Sequence, residues 1–430
     1  MSTKTISAIK GTKDILPEEA RKWQRVETVT KSHFELYGYR EIRTPVFEAT
    51  ELFEKGTGET TDVVTKEMYT FVDKGGRSLT LRPEYTPSVV RSIMDHSLHL
   101  KPQPMRYYFI GPMFRFDKPQ KGRYRQFHQV DIEVFGEKDA AIDAEIVEMA
   151  DHLLKKLGVV DTDILVNSVG CRVCRPPYHR ELKQAAERAK ENLCQDCRRK
   201  VDLNPLRIFD CKVESCRELA KDFPKITDHL CEECAVHFRD FCGYLDLYGI
   251  AYAIEPRLVR GLDYYTKTTF EIISPRLGAQ DAILGGGRYD DMMREFGGPD
   301  ICGIGFAMGL ERFLSVVPDT DTEGRFVFIA HMGEAAKKAG LQLAREMRKH
   351  DVECLIEYRE RSLKNQMSRA NKLSTSWVVI IGEEEVKKNR YQLKNMESGI
   401  QEEMTREEMM AAIRKSWGPD SGWRRGQHEI

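Results

Sequence analysis

The chain has 430 residues, 41% of them hydrophobic and 31% charged, with a formal net charge of −1. That length exceeds one ordinary core, so two or three domains are expected, and the composition excludes a disordered chain. Near-neutral charge excludes a globally basic nucleic-acid binder but allows local basic patches. No apolar run approaches the roughly 20 residues that span a bilayer. Met1 to Gly11 lacks the apolar centre of a signal peptide, so a cytoplasmic protein with no membrane partner is expected.

Pro17 to Tyr37 is expected to form an amphipathic helix. Trp23, Val26, Val29, His33 and Phe34 fall near helical spacing, and Gly38 follows as a stop. Tyr39 to Pro45 reads as a strand entering a proline, and Gly56 to Gly58 and Gly75-Gly76 mark turns. Leu81-Arg-Pro-Glu84-Tyr-Thr86-Pro87 reads as a strand-to-turn segment. Residues two apart on an extended chain share a side, so Glu84 and Thr86 are candidates to receive an ammonium group together. A Glu84 carboxylate capping the next helix is the alternative.

Met105 to Ile110 and Val130 to Phe135 read as the strands of a hairpin. Its loop sets Arg115, Lys118, Lys121, Arg123 and Arg125 against one carboxylate, Asp117, with Pro119 and Gly122 forcing the turn. On the second strand Val130, Ile132 and Val134 share one face, while Gln129, Asp131 and Glu133 share the other. Such a polar face beneath arginines suits a small zwitterion with a polyphosphate above it, because a guanidinium grips phosphate oxygens through two bonds. A solvated charged hairpin is the bland alternative. Asp139 to Leu157 is a second expected helix, with Ile142, Ile146, Met149, Leu153 and Leu157 on one side and Gly158 ending it.

Nine of the eleven cysteines lie between Cys171 and Cys242, marking a separate, largely helical module. Strand-like text then resumes at Ala251 to Glu255, Thr266 to Ile273 and Gly285-Gly-Gly-Arg288-Tyr289-Asp290. Gly303 to Arg312 is glycine-punctuated and ends in a helix start. The module therefore interrupts one domain. In Leu258 to Tyr265, Arg260, Tyr264 and Tyr265 surround a glycine. Paired tyrosines are most often packing, but Arg-Gly implies a tight backbone presenting a guanidinium. Three consecutive glycines permit close backbone approach, although neither glycine stretch matches a P-loop or dinucleotide fingerprint. From Arg325 onward, Phe326 to Ala330, Val352 to Ile356 and Trp377 to Ile381 read as strands buried on both faces, separated by helices. The expected division is 1–170 with 246–320 as two parts of one domain, 171–245 inserted, 325–416 an α/β domain and 417–430 a flexible tail.

Taken together, these blocks resemble those of class II aminoacyl-tRNA synthetases, and closely those of the histidyl-tRNA synthetase family. Gly38 to Pro45 is similar to motif 1, Gly111 to Glu133 to motif 2 and Gly303 to Arg312 to motif 3. Leu258 to Tyr265 and Gly285 to Asp290 resemble the two blocks peculiar to the histidine enzymes. The resemblance implies an α+β multidomain fold: an antiparallel-sheet catalytic domain, a helical Cys-rich insertion that clamps the tRNA acceptor arm, and a C-terminal α/β anticodon-binding domain. It implies a homodimer that joins L-histidine to tRNA(His) through a histidyl-adenylate, using ATP and Mg²⁺ and releasing AMP and pyrophosphate. Glu84, Thr86 and Gln129 would then meet the amino end of histidine and Glu133, with Tyr265, the imidazole, Tyr264 being a further histidine-binding residue. Arg115 and Arg260 would hold the α-phosphate as the catalytic pair, Arg312 the γ-phosphate, with Arg123 assisting at ATP. The family commonly shows His-Glu-Arg-Pro-Gln after the motif 2 arginine; this chain has Phe116-Asp117-Lys118-Pro119-Gln120.

A regulatory, non-catalytic relative of such enzymes would keep a histidine site but not the arginines Arg260 and Arg312. A prolyl or threonyl type would lack the Arg260–Tyr265 block. For the cysteines two readings stay open: a structural Zn²⁺ held by Cys194, Cys197, Cys231 and Cys234, or reduced thiols.

Overall fold

A computed structural model describes residues 6–58, 61–119, 122–278, 282–319 and 326–417. The expected tail beyond Trp417, and Gln120 and Lys121 of the cationic loop, lie outside the described residues. The chain divides into two compact units, Met1–Pro318 and Asp319–Ile430. Among the described residues no helix is long and apolar enough to cross a membrane.

The strands of the first unit are β1 (Arg40–Glu41), β2 (Phe47–Ala49), β3 (Tyr69–Val72), β4 (Ser78–Leu81), β5 (Met105–Phe114), β6 (Gln126–Phe135), β7 (Asp163–Ser168), β8 (Ala253–Ile254), β9 (Thr266–Ile273), β10 (Ala282–Arg288) and β11 (Gly303–Gly309). Eight of them make one sheet in the order β1-β5-β6-β11-β10-β9-β7-β8, and β2-β4-β3 make a small second sheet. From β5 through to β7 every pairing is antiparallel; only the short edge strands β1 and β8 pair parallel. The hairpin explains this: β5 and β6 pair without a slip from Met105–Phe135 to Phe114–Gln126.

Alternation along β6 decides which way the sheet faces. Val130, Ile132 and Val134 enter the main apolar core, with Trp23, Val26 and Phe34 of helix Pro17–Leu36 and with Ile142, Ile146, Met149 and Leu153 of helix Ala140–Lys156. The latter helix starts where expected, because the Asp139 side chain accepts a bond from the Ala141 amide at 2.8 Å. Tyr39 to Pro45 differs from expectation. Only Arg40–Glu41 pairs, along Tyr107 and Tyr108, and the remaining residues stay extended without a ladder. Ala251 to Glu255 likewise shrinks to β8. Thr86 is the first residue of a helix, Thr86–Asp95, and Tyr85 is already in the right-handed helical region. Pro87, pre-set for a helical first turn, ends the extended chain one residue earlier than the sequence pattern implied.

Between β7 and β8 the cysteine-rich stretch is helical: Arg175–Arg188, Gln195–Leu203, Glu214–Leu219 and Glu232–Tyr248, joined by short 3₁₀ turns. It has its own apolar cluster, including Tyr178, Leu182, Val201, Ile208 and Phe223. Helix Glu232–Tyr248 runs through residue 245, the expected boundary. Its Cys234 belongs to the insertion's cluster, but its Phe241 and Leu245 join the main core. A buried ionic node fastens this helix. Arg288 and Asp143, both fully buried, bond at 2.6 and 2.8 Å, and His237 on the inserted helix meets Asp143 at 2.9 Å. Arg288 also donates to the carbonyls of Glu137 and Asp139, at 2.9 and 3.1 Å. Despite its burial, the Asp143 carboxyl is held below its ordinary range by Arg288 and then His237.

The second unit has a five-stranded sheet. In chain order its strands are β12 (Val327–His331), β13 (Cys354–Ile356), β14 (Trp377–Ile381), β15 (Tyr391–Asn395) and β16 (Gln401–Met404), in the spatial order β13-β12-β14-β15-β16. The three expected strands are parallel, with β12 buried throughout, while β13 is an edge that leaves Leu355 exposed. An antiparallel meander, β14-β15-β16, completes the sheet. Its polar, partly exposed residues gave no buried-strand signal.

Candidate active site

Gln129, Asp131 and Glu133 sit on the sheet face opposite the core, yet all three are buried. Thr86 donates to Glu133 Oε1 at 2.5 Å, and the Tyr289 hydroxyl donates to Glu133 Oε2. Glu84 accepts from the Thr57 hydroxyl and from the Tyr264 hydroxyl, the latter at 2.9 Å. Glu84 and Thr86 thus meet different partners instead of sharing one side of a strand, and Glu84 caps no helix. Tyr264 leans on Tyr289 with ring centroids 5.7 Å apart, and on Tyr265 at 4.7 Å. Tyr265 in turn interacts with Arg260. Two hydrogen-bonded sets, Thr57–Glu84–Tyr264 and Thr86–Glu133–Tyr289, thus meet through the Tyr264 and Tyr289 rings as one carboxyl–tyrosine network.

Its carboxyls are reluctant anions. Burial pushes Glu133 up to about 8, against the pull of the Thr86 and Tyr289 bonds. Burial, reinforced by Glu133 and Glu84, lifts Asp131 well above the usual carboxylate range, and burial also raises Glu84. Gln129 Oε1, Asp131 Oδ2 and Arg260 Nε are buried without a hydrogen-bond partner among the described residues. Unsatisfied groups of this kind call for a ligand or water.

Beside this network opens a cleft of about 1220 Å³. Arg115, Arg123, Arg260 and Arg312 line it, as does Gln129, whereas the buried Glu84, Thr86, Glu133 and Tyr265 and the partly buried Tyr264 are not part of its lining. Arg115 is anchored by donation to the Pro83 carbonyl at 2.8 Å and sits 5.4 Å from the centre of the Phe127 ring. Arg260 pairs with Glu271, Arg123 with Asp117 at 2.8 Å, and Arg312 donates to the Ala282 carbonyl at 3.2 Å. Phe116 is not idle: the Arg125 guanidinium lies 4.0 Å from its ring centre, and Tyr69 meets its edge.

The glycines make room for these side chains. A Cβ on Gly285 would overlap the Arg260 guanidinium, and one on Gly305 would overlap Glu133. Close approach is thus used for the protein's own polar groups. Tyr289, Thr57 and Glu271 were missed as site residues. Tyr289 lies in the Gly285 to Asp290 block, which carries a sequence signal; the other two carry no local pattern. The four cysteines Cys194, Cys197, Cys231 and Cys234 do not form one site. Cys194 and Cys197 cluster with Cys211 and Cys216, whereas Cys231 and Cys234 cluster with Cys171 and Cys174. The chain doubles back so that the outer pairs meet at the base of the insertion and the inner pairs meet within it.

The family model described as histidyl-tRNA synthetase matches residues 11–313, a span that includes every residue of this cleft. The chain belongs to the histidyl-tRNA synthetase family. A model for an anticodon binding domain matches residues 326–416. Among relatives, the histidine–tRNA ligase of Halothermothrix orenii is 47% identical over 417 residues, covering 95% of this chain and 99% of that one. That of Caldanaerobacter subterraneus subsp. tengcongensis is 48% identical over 412 residues, with the same coverage of 95% and 99%. The crystal structure of apo S. aureus histidyl-tRNA synthetase superposes with a TM-score of 0.80 at 35% identity, covering 95% of this chain and 100% of that chain. Membership of the family makes this a class II aminoacyl-tRNA synthetase, with the mixed α/β architecture described above.

Proposed function

We propose that the cleft activates L-histidine with ATP and passes it to tRNA(His), releasing pyrophosphate and AMP. The observation that carries this reading is the juxtaposition of a buried carboxyl–tyrosine network with a cleft whose lining includes the guanidinium groups of Arg115, Arg123, Arg260 and Arg312. Glu133, oriented by Thr86 and Tyr289, takes the imidazole together with Tyr265. Glu133 offers a buried acceptor to a ring N–H, and an amino acid without that N–H forgoes the bond. Glu84, with Tyr264, and Gln129, with its orphaned carbonyl, serve the amino end.

Arg115 and Arg260 flank the α-phosphate, Arg312 the γ-phosphate, and Arg123 assists from the hairpin loop. The histidine carboxylate attacks the α-phosphorus in line and pyrophosphate leaves. The terminal ribose hydroxyl of tRNA then attacks the histidyl-adenylate carbonyl, and AMP leaves. Two fixed guanidiniums neutralise charge growing on the non-bridging oxygens, so the acceleration comes from positioning and electrostatics. The family uses ATP with Mg²⁺. Among the carboxylates lining the cleft, Asp117, Glu271 and Glu311 pair with Arg123, Arg260 and His128, while Glu67 is a further one that would be placed to help hold the ion, which would offset phosphate charge.

A homodimer belongs to the same reading: Val46, Phe47, Phe71 and Val72 leave apolar surface exposed on and beside the small β2-β4-β3 sheet. So does a cytoplasmic location, where tRNA is charged. The insertion is assigned to the acceptor arm and residues 326–416 to the anticodon. Histidine-dependent ATP–pyrophosphate exchange tests the whole. Exchange with histidine alone is expected; no exchange would point to a regulatory protein, and preference for proline or threonine would sink the assignment.

A further inference from the structure

Eight cysteines form two compact groups, and two of them, Cys194 and Cys211, also line the cleft. Cys171 and Cys174, just past β7, meet Cys231 and Cys234 at the head of helix Glu232–Tyr248. Cys194 and Cys197 meet Cys211 and Cys216. In each group all four sulfurs lie within 4.8 Å of one another. Cys171 stands 3.7 Å from Cys174 and 3.9 Å from Cys231, and Cys194 stands 3.8 Å from Cys211. A disulfide needs about 2.0 Å, and all eight thiols are free. Four sulfurs at about 2.3 Å around a tetrahedral ion stand about 3.8 Å apart. Those three edges have that length.

Main-chain amides supply a second, independent sign. Val173 N–H points at Cys171 Sγ at 3.3 Å and Cys231 N–H at Cys174 Sγ at 3.0 Å. In the other group Cys194 N–H points at Cys216 Sγ at 3.2 Å, while Cys197 and Val213 N–H each reach a sulfur at 3.4 Å. Such bonds spread thiolate charge and fix the orientation of the ligands. Neutral thiols have little need of them, and a buried thiolate without a cation would be costly.

We propose that the insertion holds two structural zinc ions, one on Cys171, Cys174, Cys231 and Cys234 and one on Cys194, Cys197, Cys211 and Cys216. An all-sulfur tetrahedral set selects Zn²⁺ over the hard cations Mg²⁺ and Ca²⁺, and four protein ligands leave no position open for substrate. The two ions have different tasks. The first ties together the ends of the insertion, Cys174 and Cys231 being 57 residues apart. The second braces the segment between Cys197 and Cys211. From that segment Asn204 and Arg207 donate to Asp263 at 3.0 and 2.8 Å, and Asp263 follows Arg260 by three residues. This ion therefore steadies the loop that presents Arg260. That last link rests on the proposed role of Arg260; the metal sites do not.

Elemental analysis of the purified full-length protein, prepared without chelator from zinc-supplemented cells, should find two zinc ions per chain and no iron. Replacement by Co²⁺ should give sulfur-to-cobalt charge transfer in the near ultraviolet and the visible bands of a tetrahedral site. Both measurements need only the wild-type chain, so they stand even where a cysteine variant fails to fold. Cys197→Ser should lower the count to one and reduce histidine-dependent exchange at least tenfold. One zinc or none in the wild type, iron in its place, or eight thiols reacting in the native protein without metal release would overturn the proposal. A count of one in Cys197→Ser with unchanged exchange would overturn the brace on Arg260.

Discussion

Replacing Glu133 by glutamine should stabilise the unliganded protein at pH 8 while crippling its use of histidine. The buried carboxyl keeps its proton up to about pH 8, against 4.5 for an ordinary glutamate. Stability from this group is therefore complete below 4.5 and drains away as pH rises to 8, because the unfolded chain ionises first. The slope is about 1.4 kcal/mol per pH unit, so the upper limit of the loss at pH 8 is on the order of 5 kcal/mol. Glutamine has no proton to lose. It keeps an acceptor for Thr86 but turns an amide N–H toward the Tyr289 hydroxyl, at a cost of about 1–2 kcal/mol. The variant should then gain roughly 3 kcal/mol at pH 8 and little at pH 5. Urea midpoints of the two proteins at pH 5.5 and 8.0 check this. An equal gap at both pH values, or a less stable variant at pH 8, would refute the reasoning. Exchange supplies the functional arm: KM for histidine should rise by on the order of 100-fold.

Three further changes probe the cleft. Arg260→Ala should slow exchange by about 10²–10³ while calorimetric histidine binding stays near wild type; wild-type exchange would show the assignment wrong. Gly285→Ala, which crowds that guanidinium, should move exchange the same way by a smaller factor, and an unaffected rate would mean that Arg260 does not need its present seat. Phe116→Ala removes the ring beneath Arg125 and should cost about 1 kcal/mol, read as a roughly fivefold rise in KM for ATP or tRNA. No change in either KM would make Phe116 a bystander.

Much of the fold was legible because it rests on short-range periodicity. The alternation of Val130, Ile132 and Val134 with Gln129, Asp131 and Glu133 gave both the core face and the polar floor. What periodicity cannot supply is the partner across the sheet. Nothing near Glu133 announces Tyr289, which is 156 positions away, and nothing near Asp263 announces Arg207. The cysteine grouping failed for a related reason: CxxC spacing identifies pairs, but only the path of the chain decides which pairs meet. Glu84 and Thr86 show the local limit, since one proline shifted the helix start and sent them to different partners.

The node of Asp143, His237 and Arg288 has a consequence for how such a sequence can drift. With both principal charges wholly enclosed, losing one partner strands the other, at about 3–5 kcal/mol, a large share of the stability of an ordinary domain. No single substitution at position 143 or 288 offers a gentle path away. Although 145 residues separate these two positions, they should change together or not at all. Where a related chain has changed one of them, a compensating change in the other should be found beside it.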